Sequence, residues 1–214
     1  MKIKKLVLGF FTVNCYIVTT EETNFIIDPG ADFKIIDNFM KSERINPEFI
    51  LNTHGHYDHI GTVPEITEVY EIPFYIHSKE EPIVTDPGKN MSSFFGGNAL
   101  SLKTYNLIED TDLVFFKQRG IEIFNFPGHT PGSIAIKLND FLFTGDFLFN
   151  GGIGRTDLPG GSSDEMIESL KKIKDFNQET VIYPGHGENS TLDWEFANNF
   201  YLSKDFMEGR GSWF

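Results

Sequence analysis

Four short apolar runs each end in side chains of the metal-ligand type, and this pattern constrains the fold more than any other feature. "FILN" leads into His54, His56, Asp58 and His59. "IEIFNF" leads into Pro127-Gly128-His129-Thr130, "FLFT" into Gly145-Asp146, and "TVIY" into Pro184-Gly185-His186-Gly187. Runs of this length, rich in β-branched and aromatic residues, read as strands. Four strand ends carrying imidazole or carboxylate can converge on one edge of a layered fold, which gives the ligands short and rigid arms.

Spacing sharpens the point. His54 and His56 are two apart, so on extended chain they face the same side. Asp58 and His59 follow where the chain turns into a helix, so they can face a second point in space. A tetrahedral metal needs only three or four protein ligands. The candidates His54, His56, Asp58, His59, His129, Asp146 and His186 are too many for one ion and suit two. Asp146 is the natural carboxylate to bridge them. Taken singly, His129 or His186 reads as an ordinary structural residue after a strand. The combination differs, because three of the six histidines fall within six positions of "LNTHGHYDHIG" and two more follow later strands beside glycine.

The rest of the chain sets the frame. Strands "KIKKLVLGF", "NCYIVTT" and "NFIIDPG" precede a helix in "DFKIIDNFMKSERI", then "EFILN", a helix in "TVPEITEVYEI", and "PFYIHS". Residues 81–104 read as an irregular surface excursion that can serve as a lid. "YNLIE", "LVFFK", "IEIFNF", "SIAIKL" and "FLFTGD" read as a second run of strands, followed by a helix in "SSDEMIESLKKIKDF", the strand "TVIY", and a C-terminal helix in "NSTLDWEFANNFYLSKDFM". This order predicts an α/β fold, an αββα sandwich of two mixed β-sheets flanked by helices, as a single domain over 1–214. The tail "MEGRGSWF" is glycine-rich and ends in aromatics.

Twenty-two phenylalanines predict an aromatic core. The net charge of -13 argues against nucleic acid or an anionic membrane as partner. A metal can still reverse the local field for an anionic substrate. The one cysteine, Cys15, lies in a strand and reads as a buried, inert thiol. No signal peptide and no membrane-spanning run is read, which places the chain in the cytoplasm. His77 belongs to none of the ligand motifs and reads as structural.

"THGHYDH" resembles the His-x-His-x-Asp-His signature of the metallo-β-lactamase superfamily, and "PGHTPGS", "FTGD" and "PGHG" resemble its later metal motifs, in order. The resemblance runs from "CYIVTTEETNFIIDPGA" to "YPGHGENSTL". It implies two divalent metal ions, zinc first, with iron or manganese as alternatives. It places His54, His56 and His129 on one ion, Asp58, His59 and His186 on the other, and Asp146 between them. It makes Asp28, in the "DPGA" turn, a brace for the metal loop.

Within the superfamily, the absence of a cysteine near Asp146 argues against a β-lactamase, and His56 argues against the flavodiiron proteins. "FNGGIGRTDLPGG" looks like the small relatives of glyoxalase II, the hydroxyacylglutathione hydrolases. The chain ends soon after "NNFYLSKDFM", so the helical domain with which full-length glyoxalase II holds glutathione is expected to be missing or reduced. The implied activity is hydrolysis of an acyl-thioester by metal-activated water, with Asp58 and Asp146 orienting it and relaying a proton. Arg155 is a candidate contact for an anionic part of the substrate, with an ion pair to Asp157 as its alternative role. "GRTD" also resembles the persulfide dioxygenases, described as holding one iron on two histidines and an aspartate, here His56, His129 and Asp146. A non-enzymatic metal-binding module is the third reading.

Overall fold

The computed structural model describes residues 1–95, 99–109 and 112–208. The chain falls into two units, Met1–Arg119 and Gly120–Phe214.

In the first unit, β1 (Lys2–Leu8), β2 (Val13–Thr19), β3 (Asn24–Ile27), β4 (Phe49–Leu51), β5 (Phe74–His77) and β6 (Asn106–Ile108) form one sheet in sequence order. The first three pair antiparallel, and β3 to β6 pair parallel. A tight turn suffices for the β2–β3 hairpin, where Thr20 Oγ1 accepts the N–H of Glu22 and Thr23 at 3.1 and 3.0 Å. Parallel neighbours need a crossover. Helix α1 (Phe33–Glu43) supplies it between β3 and β4. The single turn α2 (Tyr57–Ile60) and helix α3 (Val63–Tyr70) lie between β4 and β5.

The helix spacing explains the packing. Ile36 and Met40 of α1, and Val63 and Ile66 of α3, are fully buried against Val13, Cys15 and Ile17 of β2, Ile26 of β3 and Ile50 of β4. Each such side chain contributes about 1.5–3 kcal/mol on burial. Burial also pushes the Cys15 thiol up, in keeping with an inert role. The alternate positions on the strands carry the expected aromatic packing. Phe25 stacks on Phe49 at 5.0 Å, and Tyr75, Phe115 and Phe116 meet Phe49 edge-on.

Two expectations are corrected in this unit. "LVFFK" is not a strand but lies in a helix, α6 (Asp112–Lys117), which follows α4 (Glu81–Val84) and α5 (Ser92–Phe95) in chain order. Phe116 is buried while Leu113 and Val114 are exposed, a one-sided pattern that a run of four apolar letters cannot distinguish from a strand. Residues 81–104 are not a loose excursion where they are described. They carry α4 and α5, they bury Val84, Asn90, Ser92 and Leu102, and the Leu102 N–H bonds the Val84 carbonyl at 2.9 Å.

In the second unit, β7 (Glu122–Asn125), β8 (Ile134–Leu138) and β9 (Phe141–Gly145) pair antiparallel. A small hairpin, β10 (Leu148–Phe149) and β11 (Gly152–Ile153), and helix α7 (Ser163–Lys172) follow. The chain then returns as β12 (Val181–Pro184), parallel to β9, and β13 (Ser190–Thr191) completes the order β13-β12-β9-β8-β7. Ser162 caps α7 by accepting the Glu165 N–H, and acidic residues at its start and lysines at its end suit the helix dipole. Met166, Leu170 and Ile173 pack on Phe126, Ala135, Leu142 and Ile182.

The C-terminal stretch is not one helix. It breaks into α8 (Leu192–Asn198), a 3-10 turn and α9 (Lys204–Met207), because Asn199 and Ser203 adopt extended backbone and cap the segments that follow. The tail beyond Glu208 lies outside the described residues. Both sheets are mixed and carry helices, so the expected α/β class holds. Among the described residues, no helix is long and apolar enough to cross a membrane.

Candidate metal centre

In the first unit the donors follow β4 directly. Parallel pairing buries β4 completely and delivers Asn52, Thr53, His54, Gly55 and His56 to the strand's carboxyl end, where α2 begins. His54, His56 and His59 are buried, while Asp58 is 22% exposed at its side chain and offers the open face. The imidazole of His54 stands 4.9 Å from that of His56 and 4.1 Å from that of His59. Three buried imidazoles this close, as neutral lone-pair donors, suit a cation.

Asp28 orients two of them. It ends β3 with φ 51°, and its Oδ1 accepts the Thr53 N–H at 2.8 Å. Its Oδ2 accepts the Thr53 hydroxyl at 2.6 Å and lies 2.9 Å from His59 Nδ1. A carboxylate only accepts, so His59 carries its proton on Nδ1 and presents the Nε2 lone pair. The Thr53 proton is committed to Asp28, so Thr53 Oγ1 must accept from His54 Nδ1, 3.2 Å away. One carboxylate therefore sets the tautomer of His59 directly and that of His54 through a hydroxyl. The resemblance anticipated Asp28 as a brace; the relay through Thr53 was not anticipated.

Three further groups hold the loop. Glu80, fully buried, accepts the Gly55 N–H at 2.8 Å between the two histidines, and the Asn90 carbonyl accepts the Tyr57 N–H at 2.8 Å. Asn52 Nδ2 donates to the His59 carbonyl at 2.8 Å. Glu80 and Asn90 come from or border the stretch read as an excursion, and no local pattern marks them. Gly30 of the "DPGA" turn is required for a close approach, since a Cβ there would lie 1.3 Å from the Asp58 carbonyl oxygen.

In the second unit, the Gly185 N–H donates to the Gly145 carbonyl at 2.8 Å, which sets the ends of β9 and β12 side by side. Asp146 and His186 follow those ends, and His129 follows β7. Asp146 Oδ2 lies 3.6 Å from both His129 Nε2 and His186 Nε2. That is too long for a hydrogen bond. Ligand atoms about 2.1 Å from one tetrahedral ion lie about 3.4 Å apart, so each pair is spaced to share a cation, with Asp146 common to both pairs. The Arg155 carbonyl accepts from His129 Nδ1 at 2.7 Å, which again leaves Nε2 as the donor. Gly128, at φ 138°, lets α7 close on this loop, since a Cβ would lie 2.5 Å from the Met166 Cα.

Arg155 thus acts here through its backbone. Its guanidinium makes a two-toothed pair with Asp157, both contacts at 2.6 Å, which is the alternative role expected for it. The pair lowers the Asp157 carboxyl to about 2. Both groups are largely exposed, so it adds little stability. His77 caps a 3-10 turn by accepting the Lys79 N–H, and burial lowers its pKa, in keeping with a structural role.

A donor set of imidazoles and carboxylates near strand ends, three of its rings fixed with Nε2 as the free lone pair, defines a class, and sequence comparison agrees with it. The metallo-β-lactamase superfamily matches residues 8–186, and the chain belongs to that superfamily and has its fold. It is 33% identical to the probable metallo-hydrolase YqgX of Bacillus subtilis strain 168, over 95% of this chain and 98% of that one. It is 29% identical to the hydroxyacylglutathione hydrolase GloC of Haemophilus influenzae, over 95% and 99%. Among solved structures it resembles TTHA1623 in a di-iron-bound form, with a TM-score of 0.84 and 32% identity over 93% of this chain and 100% of that one. It also resembles the BLEG-1 B3 metallo-β-lactamase, with a TM-score of 0.86 and 33% identity over 94% and 100%.

Proposed function

We propose that the chain is a metal-dependent hydrolase of acyl-thioesters of the glyoxalase II type, acting on substrates such as hydroxyacylglutathione. The observation that carries this reading is the doubled donor set, in which hydrogen bonds fix the tautomers of His54, His59 and His129. In this reading residues 1–214 form one domain around one two-metal centre. His54, His56 and His129 would hold one ion, Asp58, His59 and His186 the other, and Asp146 would bridge. Imidazole and carboxylate donors suit zinc and equally suit iron, and a relative has been described with two irons. When bound, the ions would supply Lewis acidity that lowers the pKa of water far below its bulk value, towards roughly 7. Asp28, Thr53, Glu80 and the Arg155 carbonyl hold the ligands in place. Asp58, the most exposed donor of its loop, orients the attacking water and takes its proton, and Asp146 assists. Arg155 can leave Asp157 to meet a substrate carboxylate. The substrate is a small molecule in the cytoplasm, and neither nucleic acid nor membrane is a partner, in keeping with the charge of -13.

Metal content and activity measured on one sample test this. About two metals per chain, with cleavage of a lactoylglutathione-type thioester, is the expected result. One iron per chain with oxygen uptake on glutathione persulfide assigns the chain to the dioxygenases instead. Cleavage of a β-lactam without thioester turnover also overturns the proposal.

A further inference from the structure

We propose that a cleft beside Asp58 is a specificity subsite that takes an uncharged aromatic or aliphatic part of the substrate and turns away anionic groups. Its catalytic consequence rests on the hydrolase reading; its binding does not. The cleft has a volume of about 400 Å³ and is lined within the first unit. Phe10 and Phe11, from the β1–β2 hairpin, line it together with Phe95, and Phe33 and Tyr57 line it as well. Phe10 is 94% exposed and Phe95 59%. Exposed neighbouring phenylalanines are unfavourable in water and mark a surface that is covered in use. The rings stand preformed, with Phe10 edge-on to Phe11 at 5.4 Å and Phe11 to Phe95 at 5.2 Å. The hairpin beneath them is tied down, since the Gly9 N–H donates to Asp32 Oδ2 at 2.8 Å and the Thr12 N–H to the Gly9 carbonyl. A preformed apolar wall loses little entropy when a ligand binds. Charge supplies the exclusion. Asp32, Asp58 and Glu65 border the cleft, and the described residues that line it include no lysine, arginine or histidine. Asp58 is committed to the metal in the proposed centre, while Asp32 and Glu65 still repel a carboxylate.

Two measurements on the metal-loaded protein test this. The first titrates 3-phenylpropionamide and follows backbone amide shifts. Gly9, Phe11 and Tyr57 should move, and Phe10→Ala should weaken binding roughly 10-fold. The Phe10 ring is exposed, so its removal leaves the core intact. Shifts elsewhere only, or unchanged binding by the variant, overturn the proposal. The second compares thioesters bearing phenylpropionyl, lactoyl or succinyl groups on one thiol, and a lactoyl thioester of a phenyl-bearing thiol. One phenyl-bearing series should exceed succinyl in kcat/KM by roughly 10-fold, and Phe10→Ala should shrink that ratio while Glu65→Gln relaxes the discrimination against succinyl. Equal kcat/KM for all of them overturns the proposal. Amide binding at these residues with no turnover of any thioester supports the subsite and removes the hydrolase reading.

Discussion

At the scale of single residues, the orientation of the imidazoles depends on groups that never touch a metal. Thr53 passes the influence of Asp28 to His54, so Thr53→Val, which keeps the shape and removes the hydroxyl, should free the His54 tautomer. Metal affinity, read by competition with a chromogenic chelator, should fall by about 10–100-fold. An unchanged affinity would mean that the hydroxyl relay is idle. Glu80 is a positioning residue of another kind, acting on the backbone between two proposed ligands. Glu80→Ala strips the Gly55 N–H of its acceptor and should cost about 1–3 kcal/mol in unfolding free energy and lower metal affinity. Glu80→Gln keeps an acceptor and should restore most of both, and equal losses in the two variants would disprove the backbone role. The Arg155–Asp157 pair gives a pH signature. The Asp157 carboxyl is held at about 2, so its small contribution is present above the ordinary value of about 3.9 and is lost as pH falls through about 2. In Arg155→Ala its titration, followed by NMR, should return towards about 3.9 while stability at neutral pH hardly changes.

At the scale of elements, the two donor loops are set by backbone contacts at strand ends. Gly30 lets the "DPGA" turn press on α2. Gly30→Ala would put a methyl into the Asp58 carbonyl, which main chain cannot yield without moving α2. Loss of more than about 3 kcal/mol in chemical denaturation, or failure to fold, is the expected outcome; a variant of native stability and native metal affinity would contradict it. Most elements were legible from periodicity. α1 and α3 show the helical spacing, and β4 and β12 show the short buried runs of parallel strands. "LVFFK" was not legible, because its one buried face is set by Phe116 meeting Phe49 and Tyr75 across the sheet. The order within 81–104 was also hidden, because Asn90 and Ser92 satisfy backbone groups that are remote or irregular.

At the scale of the whole molecule, the proposed centre draws on donors from 1–119 and from 120–214. Metal binding to the folded chain alone then adds stability by mass action, about 2.7 kcal/mol at a hundredfold excess over Kd. Removing metal with a strong chelator should lower Tm by several degrees, and adding back zinc or iron should restore it. His186→Ala should keep at least one ion while losing most thioester turnover; loss of both ions would show that the two positions fill only together.

By itself the sequence determined which residues are proposed as ligands, because each lies within a few residues of an apolar strand and the spacing of His54, His56, Asp58 and His59 is local. It also determined the class of fold, since periodicity and the order of strands and helices are properties of the chain. Only the tertiary structure decided how the ligands are held. Asp28 reaches Thr53 and His59 across 25 and 31 residues, and Glu80 reaches Gly55 across 25. A hydrogen bond depends on distance in space, and a carboxylate far along the chain leaves no mark beside the residue it orients.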